Sequence, residues 1–91
     1  MASTQTMVVR TIGDVSGQDI PSFDADLGSI GYDDAMCTKL AAELDNMADT
    51  FLPGTHVDAS QINTTLTVQD VIDLMVMLIG TTGVKPGGQA D

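Results

Sequence analysis

Basic side chains are scarce in this sequence, which has three Lys and Arg residues against thirteen Asp and Glu residues and a formal net charge of −10. A surface with so much negative charge repels nucleic-acid phosphates and anionic lipid headgroups, so binding to nucleic acid or to a membrane through charge is excluded. The single Cys excludes an intramolecular disulfide framework and a Cys-based zinc site. One thiol is compatible with a reducing compartment, and we expect a cytoplasmic protein.

Aromatic residues and long hydrophobic runs are also lacking. There is no Trp, one Tyr and two Phe among 91 residues, so the core of this one-domain chain must be aliphatic and rich in Met. The longest apolar run, residues 74–79, is far too short to span a bilayer. Residues 1–6 are polar, and we therefore predict no signal peptide.

The chain is expected to divide into three parts. Residues 1–5 are predicted to be a flexible N-terminus and residues 6–80 the folded domain. Residues 81–91 contain Pro86, Gly87 and Gly88, which are typical of a disordered tail or a linker stub.

Apolar residues recur with helical spacing in three stretches, which predicts three main helices. The stripes consist of Met7, Val8, Ile12 and Val15; of Met36, Leu40, Leu44 and Met47; and of Val71, Ile72, Met75, Leu78 and Ile79. Gly17 and Pro53 are expected to end the first two helices. Thr67 and Asp70 are spaced as a capping box at the start of the third, and Gly80 is expected to adopt the left-handed cap conformation at its end.

The segments between these helices carry apolar residues of their own. The long loop of residues 18–32 is expected to be anchored by Ile20, Phe23, Leu27 and Ile30. Residues 58–62 can form one short helical turn, with Val57 and Ile62 pointing inward. Alternating strand patterns are absent. The sequence therefore predicts an all-α fold, a small bundle of four helices of which three are long and one is short.

Two segments resemble a known family. The first reads Asp-Leu-Gly-Ser-Ile-Gly-Tyr-Asp-Asp-Ala-Met over residues 26–36, and the second reads Leu-Thr-Val-Gln-Asp-Val-Ile-Asp over residues 66–73. In their order and spacing they are similar to the acyl carrier proteins of polyketide and fatty-acid biosynthesis, over residues 5–80. The resemblance implies a four-helix carrier fold and docking onto the enzymes of such a pathway.

The sequence departs from that family at the residue that carries its chemistry. Acyl carrier proteins have a Ser-Leu pair at the start of the second helix, and the Ser hydroxyl is esterified to 4′-phosphopantetheine. Asp34 and Ala35 stand in those two positions, and a carboxylate cannot form that phosphodiester. The nearest hydroxyls, Ser29 and Thr38, do not lie at the helix start. We therefore expect a degenerate carrier domain with no prosthetic arm, no cofactor, no metal and no catalytic residue.

A protein partner is the remaining expectation. The candidate docking residues are Asp33, Asp34, Ala35, Thr38, Lys39 and Ala42. If residues 33–48 are helical, the face opposite the apolar stripe, which also includes Asp45 and Asn46, is nearly neutral. Asp34 has two interpretations, a favourable charge in the first helical turn or a phosphate-like group that a partner reads. The partner is expected to be an enzyme or a neighbouring domain of a polyketide or fatty-acid-like pathway, and the isolated chain is expected to be a monomer.

Two alternatives stay open. The chain could be a genuine acyl carrier protein whose phosphopantetheine Ser has been replaced, although the loss of the following Leu at Ala35 argues against a single replacement. It could also be a small acidic protein with an apolar pocket, because methionines 36, 47, 75 and 77 lie at core spacing on the helices. His56 lacks a spaced partner for a metal site or a catalytic triad, and Cys37 is expected to be a buried apolar residue.

Overall fold

The computed structural model describes residues 3–80, which contain three α-helices and two short 3₁₀ turns. The helices are α1 (Thr4–Ser16), α2 (Asp34–Phe51) and α3 (Val68–Ile79), and the 3₁₀ turns are Gly28–Ile30 and Ala59–Gln61. Within residues 3–80 the only β-type pairing is an isolated antiparallel bridge between Asp26 and Thr67. The all-α prediction is confirmed, but the fourth helix is a single 3₁₀ turn. A second such turn, in the long loop, was not expected.

The ends of α1 follow from its capping residues. The Ser3 hydroxyl accepts a hydrogen bond from the Thr6 backbone N–H at 3.1 Å, which satisfies one of the free donors at the helix start. At the other end Gly17 adopts a left-handed conformation with φ of 73°, as expected. The helix nevertheless begins at Thr4, inside the segment predicted to be flexible. The Thr4 side chain is fully buried, and its hydroxyl donates to the carbonyl of Gly80.

The start of α3 has the cap that the sequence predicts, and its end does not. The Thr67 hydroxyl accepts from the Asp70 backbone N–H at 3.0 Å, and the Asp70 carboxylate accepts from the Thr67 N–H at 3.1 Å. This is the predicted capping box. Gly80 has a positive φ of 86°, but its ψ of 173° is not that of a left-handed cap. The prediction of that cap conformation was wrong, because the chain leaves the helix in an extended direction.

The core is formed by the apolar faces of all three helices, and α1 packs against both α2 and α3. Its central side chains are Val8, Ile12, Leu40, Leu44, Val68, Val71 and Met75, none of which is exposed at all. Met36 and Met47 are half-buried at the edge of this core, and Met77 is 74% exposed. Of the four methionines placed at core spacing, only Met75 is therefore fully buried.

The long loop is held against the residues that precede α3. The Leu27 N–H donates to the Leu66 carbonyl at 2.8 Å, and the Val68 N–H donates to the Ala25 carbonyl at 3.0 Å. Leu27 and Ile30 are buried, while Ile20 and Phe23 are half-buried against the core. The expected anchors are thus in contact with the core, and the loop delivers the chain to the start of α2 in a fixed position.

Three remaining expectations concern the residues next to the second 3₁₀ turn, the two ends of the chain and the possibility of a membrane span. Val57 and Ile62 are buried, as predicted. Residues 1, 2 and 81–91, which include the predicted tail, lie outside the described residues. Between residues 3 and 80, no helix combines the length and the apolar composition needed to cross a membrane.

Candidate docking site at the start of α2

The start of α2 is fixed by a side-chain cap. Asp33 has an extended backbone conformation, and its Oδ1 accepts a hydrogen bond from the Met36 N–H at 2.9 Å. The helix proper begins at Asp34. This is the arrangement expected from the sequence, with Asp33 as the cap and Asp34 in the first turn, where a negative charge is favourable next to the helix dipole.

Tyr32 fixes the chain directly before this cap. Its side chain is buried, and its hydroxyl donates to the carbonyl of Ile12 on α1 at 2.6 Å. Burial, and to a lesser extent the nearby Cys37, raises the pKa of Tyr32 well above its ordinary value. Tyr32 is not among the anchors that the apolar pattern of the loop predicts. The signal available was a lone aromatic residue directly before a helix cap.

The helix start has a carboxylate where the resemblance implies a hydroxyl, and the two nearest hydroxyls bind local backbone. Asp34 itself is exposed and offers a carboxylate. The Ser29 hydroxyl donates to the carbonyl of Asp26 at 2.8 Å, and the Thr38 hydroxyl donates to the carbonyl of Asp34 at 3.1 Å. Both hydroxyls are thus bound to local backbone. The residues present do not fit the prosthetic group that the resemblance implies.

The other candidate docking residues are exposed on α2 but divide between two sides. Ala35 continues the exposed surface from Asp34. Lys39 lies on the α1 side, in a depression that Asp14 and Glu43 also line. Thr38 and Ala42 lie on the opposite side, along a groove of about 400 Å³ between α2 and residues 56–59. The structure therefore brings all six candidates onto one end of α2, and it places Lys39 apart from Thr38 and Ala42.

Asp45 also lines the groove. Its Oδ1 accepts from the Val57 N–H at 2.9 Å and contacts the His56 Nδ1 at 3.0 Å. The hydrogen bond from Val57, and next the contact with His56, lower the pKa of Asp45 below its ordinary value. Asp45 belongs to the α2 face predicted to lie opposite the apolar stripe, but it is not fully exposed there. The side chain is half-buried because the chain turns back along α2 after the helix ends.

Cys37 is buried, and His56 is paired with Asp45. Cys37 is 3% exposed, and burial together with the charges of Asp34 and Asp33 raises the pKa of its thiol, which disfavours the thiolate. The pairing of His56 with Asp45 is the contact that orients the imidazole in a catalytic triad. Thr38 is a hydroxyl residue that lines the groove together with this pair. It precedes Asp45 by two helical turns, which is about 10 Å along the helix axis.

Metal sites and apolar pockets were the other possibilities. Among residues 3–80, no three His, Cys, Asp or Glu side chains form a cluster that could hold a metal ion. A depression of about 820 Å³ is an open surface feature between α1 and the start of the long loop, lined in part by Arg10, Asp14 and Ile20. No methionine lines this depression, so it is not the Met-lined pocket of the second alternative.

Comparison of the chain with family profiles, with curated proteins and with solved structures finds no match in any of the three. No family is shown. The likeness to acyl carrier proteins therefore stays a prediction based on the sequence segments and on the order of the helices.

Proposed function

We propose that this chain is a pseudo-acyl-carrier module, a cytoplasmic, non-catalytic protein that binds a protein partner through the start of α2 and carries no prosthetic arm. The partner is an enzyme or a neighbouring domain of a polyketide or fatty-acid-like pathway. The observation that carries the proposal is the exposed carboxylate of Asp34, in the first turn of a helix capped by Asp33, where the resembled family has its acceptor Ser.

The geometry of the helix start supports a docking role. Its backbone is held by the Asp33 cap and by the buried Tyr32, so the exposed side chains stand on a rigid base. Ala35 and Ala42 are exposed and have no rotamer freedom to lose when a partner covers them. A surface of this kind loses little conformational entropy on binding.

The charge of Asp34 supports a partner with a basic or hydrogen-bond-donating pocket. Within residues 3–80, Asp34 forms neither a side-chain hydrogen bond nor an ion pair, so its carboxylate is free to accept from another protein. A carboxylate at this position offers a negative charge roughly where a carrier presents its phosphate. Such a charge contributes to partner selection and to the rate of association.

The genuine-carrier alternative makes a different prediction. If Asp34 replaced a Ser in an otherwise ordinary carrier, the Asp34→Ser variant would be a good substrate for a phosphopantetheinyl transferase. The exposed Ala35 and Lys39 stand where the resembled family has Leu and an acidic residue. These two differences support the loss of recognition by the transferase and not a single replacement at Asp34. The apolar-pocket alternative has less support, because the core side chains at the centre of the bundle are fully buried.

Site-specific photo-crosslinking tests the proposal. A benzophenone amino acid is placed at Thr38 and, as a matched control, at Thr50. Both threonines are exposed on α2, and both donate their hydroxyl to the backbone carbonyl four residues earlier. They lie about 18 Å apart along the helix axis, so a partner on the start of α2 is expected to be captured from Thr38 only.

The crosslinked protein is then identified by mass spectrometry. A biosynthetic enzyme or synthase domain that acts on carrier-bound substrates, captured from position 38 and not from position 50, supports the proposal. Equal capture from the two positions, or a partner of an unrelated class at position 38, contradicts it.

A further inference from the structure

The chain folds back along α2 after that helix ends, and two carboxylates of α2 hold it there. The Asp49 Oδ1 accepts from the Gly54 N–H at 3.0 Å, and one turn earlier in the helix the Asp45 Oδ1 accepts from the Val57 N–H at 2.9 Å. We call residues 52–61 the strap. The strap forms the wall of the groove that faces Thr38.

Apolar packing of the strap is limited to Val57, which belongs to the core, and Leu52, which is half-buried against it. Val57 is its only buried residue, and the 3₁₀ turn Ala59–Gln61 within it buries none of its side chains. That turn packs mainly against α2. Segments with few buried apolar contacts open locally at a lower free energy than the whole fold. The hydrogen bonds that the α2 carboxylates accept from the strap are therefore a large share of what keeps the strap closed.

Asp45 is the more important of the two carboxylates. It is half-buried, and it binds both the backbone of Val57 and the ring of His56. The titratable groups around it are His56 and Asp58 on the strap and Asp49 on α2. Hydrogen bonds to an ionised group are stronger than those between neutral groups. Removal of Asp45 would therefore leave both the Val57 N–H and the His56 imidazole without their partner on α2.

We propose that Asp45 is a positioning residue that latches the strap onto α2, and that release of this latch widens the groove beside Thr38 and Ala42. The latch is a property of the free chain. Its consequence for binding, control of access to one side of the docking site, rests on the proposed function. A partner that inserts a side chain into the groove would have to displace the strap, so the strength of the latch would set part of its affinity.

Native-state hydrogen exchange of the whole ¹⁵N-labelled chain, followed by NMR, tests the latch. The variants are Asp45→Ala, Asp45→Asn, and Asn46→Ala as the control, since the exposed Asn46 side chain makes no hydrogen bond within residues 3–80. A bond to a charged acceptor contributes enough that its loss should lower the protection of the Val57 amide by about tenfold to a hundredfold in Asp45→Ala. Asp45→Asn keeps a neutral acceptor and should lose less.

The amide of Leu44, in the middle of α2, separates local opening from unfolding. Its protection should stay unchanged in every variant, because Leu44 belongs to the buried core and not to the strap. Widening of the groove has its own reporter. Ala41 is 1% exposed and lines the groove, so a thiol introduced by Ala41→Cys in a Cys37→Ala chain should be alkylated at least several-fold faster when Asp45→Ala is added.

Three results would overturn the proposal. In the first, the Val57 amide keeps its protection in Asp45→Ala. In the second, the amides of Val57 and Leu44 lose protection by the same factor in both Asp45 variants. In the third, the rate of alkylation at position 41 is unchanged. Since all of these measurements use the free chain, they do not depend on the crosslinking result. Local opening at Val57 without capture at Thr38 would leave the latch standing and refute the docking function.

Discussion

Replacing Leu44 with alanine is expected to cost about 2–5 kcal/mol of stability, because a large side chain would be removed from a closed core. Leu44 lies on the inner face of α2 and has no exposed surface, and it belongs to the same cluster as Ile12 of α1 and Met75 of α3. A domain of this size has a total stability of about 5–10 kcal/mol. The variant would therefore lose between about a fifth and all of its stability.

Urea unfolding of Leu44→Ala and of Glu43→Ala, its neighbour on the exposed face of α2, measures this cost. With an m-value of about 1 kcal/mol/M for a small protein, the midpoint of Leu44→Ala should fall by at least about 2 M. Surface substitutions away from special features change stability by about 0.5 kcal/mol or less, so the midpoint of Glu43→Ala should barely move. Equal midpoints for the two variants would refute the core assigned to α2.

Three further outcomes are expected. Asp34→Ser alone should be modified slowly by a phosphopantetheinyl transferase, and adding Ala35→Leu and Lys39→Glu should raise the rate several-fold in intact-mass assays; equal rates would favour an ordinary carrier. Tyr32→Phe should cost about 1–3 kcal/mol in urea titrations, because the α1 carbonyl that the hydroxyl binds loses its partner, and a neutral result would show that water replaces the hydroxyl. Hydrogen bonding lowers the pKa of Asp45 in the folded state, so the stabilisation by its charge is present at neutral pH and is lost as the pH falls below about 4. The difference in unfolding free energy between wild type and Asp45→Asn should therefore shrink between pH 6 and pH 3. A constant difference would contradict the role of the charge.

The three helices could be predicted because their signals are local. The apolar stripes mark the buried faces, and short-range caps such as Gly17 and the Thr67–Asp70 pair fix two of the helix ends through bonds between residues close in sequence. Ser3, which caps α1, lies in the segment predicted to be flexible. The Asp33 cap and the exposed face of α2 also follow from local signals, but the choice of this helix start as a docking site rests on the resemblance to acyl carrier proteins.

The contacts that the sequence did not predict join residues far apart in the chain. The hydroxyl of Tyr32 binds a carbonyl twenty residues away, and Asp45 binds a backbone N–H twelve residues away. In the sequence, Tyr32 looks like any Tyr of a loop and Asp45 like any Asp of a helix surface. Only the path of the folded chain brings them to their partners. The same holds for the bridge between Asp26 and Thr67, which joins the long loop to the start of α3.

The dissociation constant of the partner captured at Thr38, measured with Asp34→Ala, tests the central claim most directly. Asp24→Ala is the control, because it removes the same charge from an exposed loop position. The account predicts that Asp34→Ala weakens binding at least about tenfold, equivalent to about 1.4 kcal/mol, while its unfolding midpoint and the affinity of Asp24→Ala stay near those of wild type. Unchanged affinity of Asp34→Ala, or an equal loss in both variants, would contradict a docking role for the carboxylate at the start of α2.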